Sequence, residues 1–144
     1  MSAATHDAPV RHRILIVDDE ESTRLLLAKI LSRDLRVEVV LAGTSEQALR
    51  LAGNYAYDAI LLDLMMPGIG GVEVLKQVRA ASPNTSTPVI VVSVLSDHTT
   101  MDLCKAVGAN AYLVKPVERH LLVSTVKAQI AARKKPRTPR RKED

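Results

Sequence analysis

The sequence contains no phenylalanine and no tryptophan, and Tyr55, Tyr57 and Tyr112 are its three aromatic residues. Its core must therefore be aliphatic, and a nucleic-acid platform that stacks bases on rings lacks the rings it needs. Cys104 is the single cysteine, so neither an internal disulfide framework nor a cysteine-rich zinc site can form. No apolar run approaches the roughly 20 residues of a membrane-spanning helix. The opening MSAATHDAPVRHR has no apolar stretch of signal-peptide type. A lone thiol without an export signal gives the cytoplasm as the expected location. The phosphate-cradling patterns GxGxxG and GxxxxGK[ST] are also missing, so the dinucleotide-binding and P-loop readings lose their loops.

What is present suits one ordinary globular domain: 144 residues, 47% of them hydrophobic and 25% charged. The net charge of +4 is unevenly spread. Residues 133–144 hold seven basic and two acidic groups, whereas residues 1–132 hold thirteen and fourteen. The excess positive charge therefore belongs to the tail RKKPRTPRRKED and says little about the domain. We expect residues 1–12 to be a flexible leader, 13–132 the folded domain and 133–144 a basic disordered tail.

Between the ends, short apolar runs alternate with helical patterns. Strands are expected over Arg13–Val17, Val37–Ala42, Tyr57–Leu62, Pro88–Val92 and Ala111–Val114, since each is a brief apolar run that stops at polar or turn residues. Helices are expected over Glu20–Ser32, Thr44–Ala52, Val72–Ala80, Asp97–Val107 and Glu118 to about Ala132. Thr44 serves as an N-cap and Gly108 as a terminator. Pro67, Gly68, Gly70 and Gly71 mark a loop after the third strand. Five strand–helix pairs with short connections imply an α/β fold with a parallel sheet and helices on both faces.

In such sheets ligands bind beyond the carboxyl ends of the strands. Those ends carry Asp18 and Asp19, Asp63, Ser93 and Lys115, while the second strand ends at Ala42-Gly43 with no reactive group. Three carboxylates in one pocket repel one another unless cations intervene. Lys115 supplies one charge, and a magnesium ion, held by carboxylates, water and phosphate oxygens, would supply two. Acids, metal, lysine and hydroxyl together are the parts of a phosphoryl-transfer site. Taken singly, each residue has a plainer role. The acid pair could cap the next helix, Asp63 could be a turn residue, Ser93 a cap and Lys115 a solvated charge. The coincidence of all of them at one edge favours chemistry.

The segments ILIVDDE, YDAILLDLMMPGIGG, PVIVVS and GANAYLVKP resemble those of two-component response-regulator receiver domains, the CheY-like family. The resemblance covers about residues 13–132. It implies the flavodoxin-like doubly wound (βα)5 fold, with strand order 2-1-3-4-5. It implies that Asp63 accepts a phosphoryl group from a phosphohistidine of a sensor kinase or phosphotransfer protein. It implies that Asp18, Asp19, Asp63 and the backbone carbonyl of Met65 hold Mg2+, and that Lys115 and Ser93 contact the phosphoryl oxygens. Ser93 and Tyr112 would be the switch residues, and Lys115-Pro116 a cis bond. The protein would then be no turnover enzyme, catalysing only its own phosphorylation and slow dephosphorylation. It would act as a stand-alone receiver that presents an altered surface to a downstream protein effector.

Two positions depart from the family pattern. Gly70-Gly71 stands where Asp-Gly is frequent, and Val94, bulkier than the usual Ala or Gly, narrows access to Asp63. Met65 and Leu95, expected to flank the path of attacking water, are both apolar, which implies a long-lived phosphorylated state. Two other readings compete with this one. One is a receiver-like scaffold that signals without phosphate. The other is a DNA-associated adaptor acting through the basic tail, which rests on charge alone. A haloacid-dehalogenase-type phosphatase would place its nucleophile in DxDxT after the first strand, where this chain has Asp18-Asp19-Glu20.

Overall fold

A computed structural model describes residues 11–134. The chain alternates as expected: β1 His12–Val17, α1 Glu21–Asp34, β2 Val37–Ala42, α2 Ser45–Asn54, β3 Ala59–Leu62, α3 Gly70–Ala80, β4 Val89–Ser93, α4 His98–Val107, β5 Ala111–Val114 and α5 Arg119–Lys134. The strands form one sheet in the order β2-β1-β3-β4-β5, and every neighbouring pair is parallel. This is the flavodoxin-like (βα)5 topology that the segments imply.

The strands read as continuous apolar runs because both sheet faces are covered. Side chains alternate between two aliphatic cores. Ile14, Ile16, Ala59, Leu61, Ile90 and Val92 pack against Leu27 and Leu31 of α1 and Leu122, Val126 and Ile130 of α5. Leu15, Val17, Ile60, Leu62 and Val89 pack against Ala48 and Ala52 of α2 and Val74, Leu75 and Val78 of α3. A smaller cluster under α4 joins Leu64, Val91 and Cys104. The buried positions are filled without a phenylalanine or tryptophan, as the composition requires.

Local signals set most boundaries. The Thr44 side chain accepts from the Gln47 N–H, and the Asp97 side chain accepts from the Thr100 N–H, capping α2 and α4. Gly108 ends α4 at φ 124°, a conformation that side-chain-bearing residues rarely adopt. The differences from the expected ranges have physical causes. His12, placed in the leader, opens β1 because its N–H reaches the Arg36 carbonyl at 3.2 Å. α5 continues through Lys134, two residues into the stretch expected to be tail, and Arg133 Nη1 donates to the Tyr57 carbonyl at 3.1 Å. Residues 1–10 of the expected leader and 135–144 of the expected tail lie outside the described residues.

β3 starts at Ala59, two residues later than expected, because a buried side chain takes the backbone of Tyr57. Asn84 is fully buried. Its Oδ1 accepts from the Tyr57 N–H at 2.8 Å and from Thr87 Oγ1 at 2.9 Å. Its Nδ2 donates to the Ala52 carbonyl at 2.7 Å and the Tyr55 carbonyl at 2.8 Å. All four bonding positions of the amide are filled, tying the end of α2, the start of β3 and the loop before β4. Asn84→Ala should cost about 3 kcal/mol in urea unfolding, because it strands buried donors and acceptors. Asn84→Asp should cost more, since a carboxylate would then face two carbonyl oxygens. A loss within about 0.5 kcal/mol for either variant, the range of ordinary surface changes, would contradict this role.

Candidate functional site

The sheet's hydrogen-bond ladder runs one residue past the strands and aims the polar side chains. The Asp18 N–H donates to the Ala42 carbonyl at 3.1 Å, the Asp63 N–H to the Val17 carbonyl at 2.9 Å, and the Lys115 N–H to the Ser93 carbonyl at 2.8 Å. Asp18, Asp63 and Lys115 therefore leave three strand ends with their backbones still fixed by the sheet. Their side chains meet. Lys115 Nζ lies 2.7 Å from Asp18 Oδ2 and 3.2 Å from Asp63 Oδ2. Both carboxylates are buried, at 1% and 5% exposure, and both remain hydrogen-bonded. Asp18 Oδ1 accepts from the Glu20 N–H at 2.9 Å, and Asp63 Oδ1 accepts from the Met65 N–H at 3.2 Å.

Burial pushes the Asp63 carboxyl above its ordinary pKa, against the opposing pull of the Met65 N–H and the Lys115 charge. For Lys115 burial acts to lower the pKa, but the bond to Asp18 and the charges of both carboxylates outweigh it, and the net shift is upward. The ammonium stays charged because it is the counter-ion of the pair.

Asp19 completes the acidic group from the surface. One carboxylate oxygen from each of Asp18, Asp19 and Asp63 lies within 4.8 Å of the others. These three carboxylates outnumber the one ammonium in a cleft of about 390 Å³, whose lining is completed by Glu20, a fourth acid, and by Met65 and Val94. The donors are all hard oxygens, with no imidazole or thiol in the lining. A divalent cation of the magnesium type fits both the charge and the ligand chemistry.

Ser93 and Tyr112 sit to one side of this cleft. Ser93 is fully buried and is absent from the cleft lining, where Val94 stands instead. Its Oγ accepts from the Leu95 N–H at 3.2 Å, while the Tyr112 hydroxyl donates to the Leu95 carbonyl at 2.7 Å. Both groups thus hold the same residue of the β4–α4 loop. Leu95 packs beside Tyr112 against Leu64, Val91 and Cys104. Contrary to the sequence-based expectation for it, Leu95 does not line the cleft. The Lys115-Pro116 bond is cis.

One positional requirement is invisible in the linear pattern. A Cβ on Gly71 would collide with the Asp63 carbonyl oxygen and come within 2.6 Å of Leu64 Cα. The Gly71 N–H also donates to the Leu64 carbonyl at 3.0 Å. The first turn of α3 therefore packs directly on the backbone that carries Asp63, which is possible only for a glycine. Gly70, at φ 78°, is needed for its conformation instead.

This arrangement has many counterparts. The response regulator receiver domain profile matches residues 14–127. The sensory/regulatory protein RpfC of Xanthomonas campestris pv. campestris is 37% identical over 124 residues, which are 84% of this chain but 17% of that much longer protein. A CheY-like receiver domain protein from Methanospirillum hungatei superimposes with a TM-score of 0.82 at 26% identity, covering 88% of this chain and 98% of that one. The receiver domain of a Pseudomonas aeruginosa sensor histidine kinase, solved with a magnesium ion coordinated in its active-site cleft, gives a TM-score of 0.77 at 29% identity, over 85% and 99% of the two chains. With the sheet order, the acidic cleft and the profile in agreement over the same residues, this chain belongs to the response regulator receiver domain family.

Proposed function

We propose that this receiver takes a phosphoryl group onto Asp63 from a phosphohistidine of a sensor kinase or phosphotransfer protein, and that the modified form presents a changed surface to a protein effector. The observation that supports it most is the excess of negative charge around Asp63, with Lys115 as its sole ammonium among the described residues. An Asp63 carboxylate oxygen attacks phosphorus. The P–O bond of an acyl phosphate forms as the P–N bond to the imidazole breaks, and the departing imidazole takes up a proton. Asp18, Asp19, Asp63 and the Met65 carbonyl are the groups that would hold Mg2+. The ion would supply charge neutralisation at the phosphoryl oxygens.

The remaining steps belong to the chain's own side chains. Lys115 exchanges its contact with Asp63 for a phosphoryl oxygen. Ser93 Oγ gives up the Leu95 N–H and donates to a second phosphoryl oxygen. Leu95 also anchors the Tyr112 hydroxyl, so a loop shift that begins at Ser93 reaches Tyr112 through one residue. The phosphorylated state is then a population shift biased by new contacts to the phosphate.

Intact mass should rise by one phosphoryl group when the protein is incubated with Mg2+ and a small phosphodonor such as acetyl phosphate. Asp63→Asn should show no incorporation, and chelating the metal should abolish it in the wild type. Equal incorporation in Asp63→Asn would remove Asp63 from this role.

Decay of the phosphorylated form should be slow, because Met65 and Val94 are the apolar residues at the cleft and neither can hold or deprotonate a water. After the donor is removed and Mg2+ kept, Met65→Asn should lose phosphate about tenfold faster than wild type, a modest positioning gain. Equal decay rates would show that water exclusion at Met65 does not set the lifetime.

A further inference from the structure

Asp18 and Asp19 are joined by one peptide group, and its plane fixes where the Asp19 side chain begins. The two carboxylates are held very differently. Asp18 is buried and bonded through both side-chain oxygens. Asp19 is exposed, and among the described residues no hydrogen bond holds its carboxylate. Its position therefore depends on the backbone. On the Asp18 side, the N–H is held by the Ala42 carbonyl. The carbonyl of the shared peptide group is held by Arg24, whose Nη1 donates to it at 2.8 Å.

Gly43 leaves room for this reach. A Cβ there would come within 2.7 Å of Arg24 Nη1 and 3.2 Å of its Cζ. Its φ lies outside the left-handed region, so the glycine is there for space and not for conformation. The glycine is itself pinned, since its N–H donates to Gln47 Oε1 at 2.9 Å. The end of β2, which carries no reactive group, thus contributes the gap through which an α1 side chain grips the peptide between the two acids.

We propose that Arg24, working through the gap at Gly43, is a positioning residue for the divalent cation, orienting the Asp18–Asp19 peptide so that the exposed Asp19 carboxylate faces the buried pair. This rests on the reading of the cleft as a magnesium site. The sign of the effect separates positioning from simple charge. A guanidinium beside the cleft repels a cation. If Arg24 were only a nearby charge, removing it would tighten Mg2+ binding. If it orients the acid pair, removing it loosens binding in spite of the charge lost.

Calorimetric titration with MgCl2 tests this on wild type, Arg24→Ala, Gly43→Ala and the double variant, with thermal unfolding in chelator to show that each is folded. Arg24→Ala should bind Mg2+ about tenfold more weakly, the low end of what loss of an orienting partner costs. Gly43→Ala should also weaken binding, since it displaces the guanidinium while keeping its charge. The double variant should be no weaker than Arg24→Ala, because both changes break one interaction. Equal or tighter binding by Arg24→Ala, or fully additive losses in the double variant, would overturn the proposal. Absence of Mg2+ binding by the wild type would overturn the metal reading beneath it, which distinguishes the two failures.

Discussion

The bond network of one ammonium, Lys115 Nζ between Asp18 and Asp63, is what the rest of the site depends on. Two carboxylates buried side by side repel each other strongly enough that one would ordinarily hold a proton. The lysine lets both sit at the sheet edge, and the ladder bonds of Asp18, Asp63 and Lys115 hold the trio in place. The neutralisation is incomplete, because Asp19 adds a third carboxylate that makes no salt bridge among the described residues. The cleft is therefore stable enough to fold and still short of positive charge. That is the condition that favours uptake of a divalent cation.

The constraint reaches beyond the cleft by backbone contacts. Gly71 allows α3 to press on the Asp63 carbonyl, and Arg24 reaches the Asp18 carbonyl past Gly43. On the far side, Lys115 bonds by its N–H to Ser93, whose hydroxyl holds Leu95, which in turn holds Tyr112. A change of charge at Asp63 thus has a short route to the β4–α4 loop. Along it, each link is a single hydrogen bond, and the one at the Ser93 hydroxyl is the link for which a phosphoryl oxygen could compete.

Much of this was legible in the linear sequence, for a definite reason. A parallel sheet covered on both faces needs apolar runs such as ILIV, AILL and VIVV, and a polar residue that ends such a run is left at the sheet edge. Asp18, Asp63, Ser93 and Lys115 could be placed by counting. The cap at Thr44 was equally local. Residues whose meaning is set by a distant partner were not legible. Asn84 reads as one polar residue in SPNTST until Ala52, Tyr55 and Tyr57 surround it. Gly43 and Gly71 read as loop glycines until Arg24 and the Asp63 backbone pack against them. Ser93 was placed at the correct strand end, but its hydroxyl is engaged within its own loop and Val94 lines the cleft. Leu95, placed by spacing beside the water path, packs with Tyr112 instead.

The central claim is that Lys115 is the one ammonium, among the described residues, in a cleft whose carboxylates outnumber it. Calorimetric Mg2+ titration of Lys115→Met against wild type tests it most directly, because methionine removes the charge while keeping an unbranched side chain. Loss of the competing cation should tighten Mg2+ binding about tenfold, equivalent to about 1.4 kcal/mol. Binding that is unchanged or weaker would mean that the lysine does not offset the acidic cluster as described.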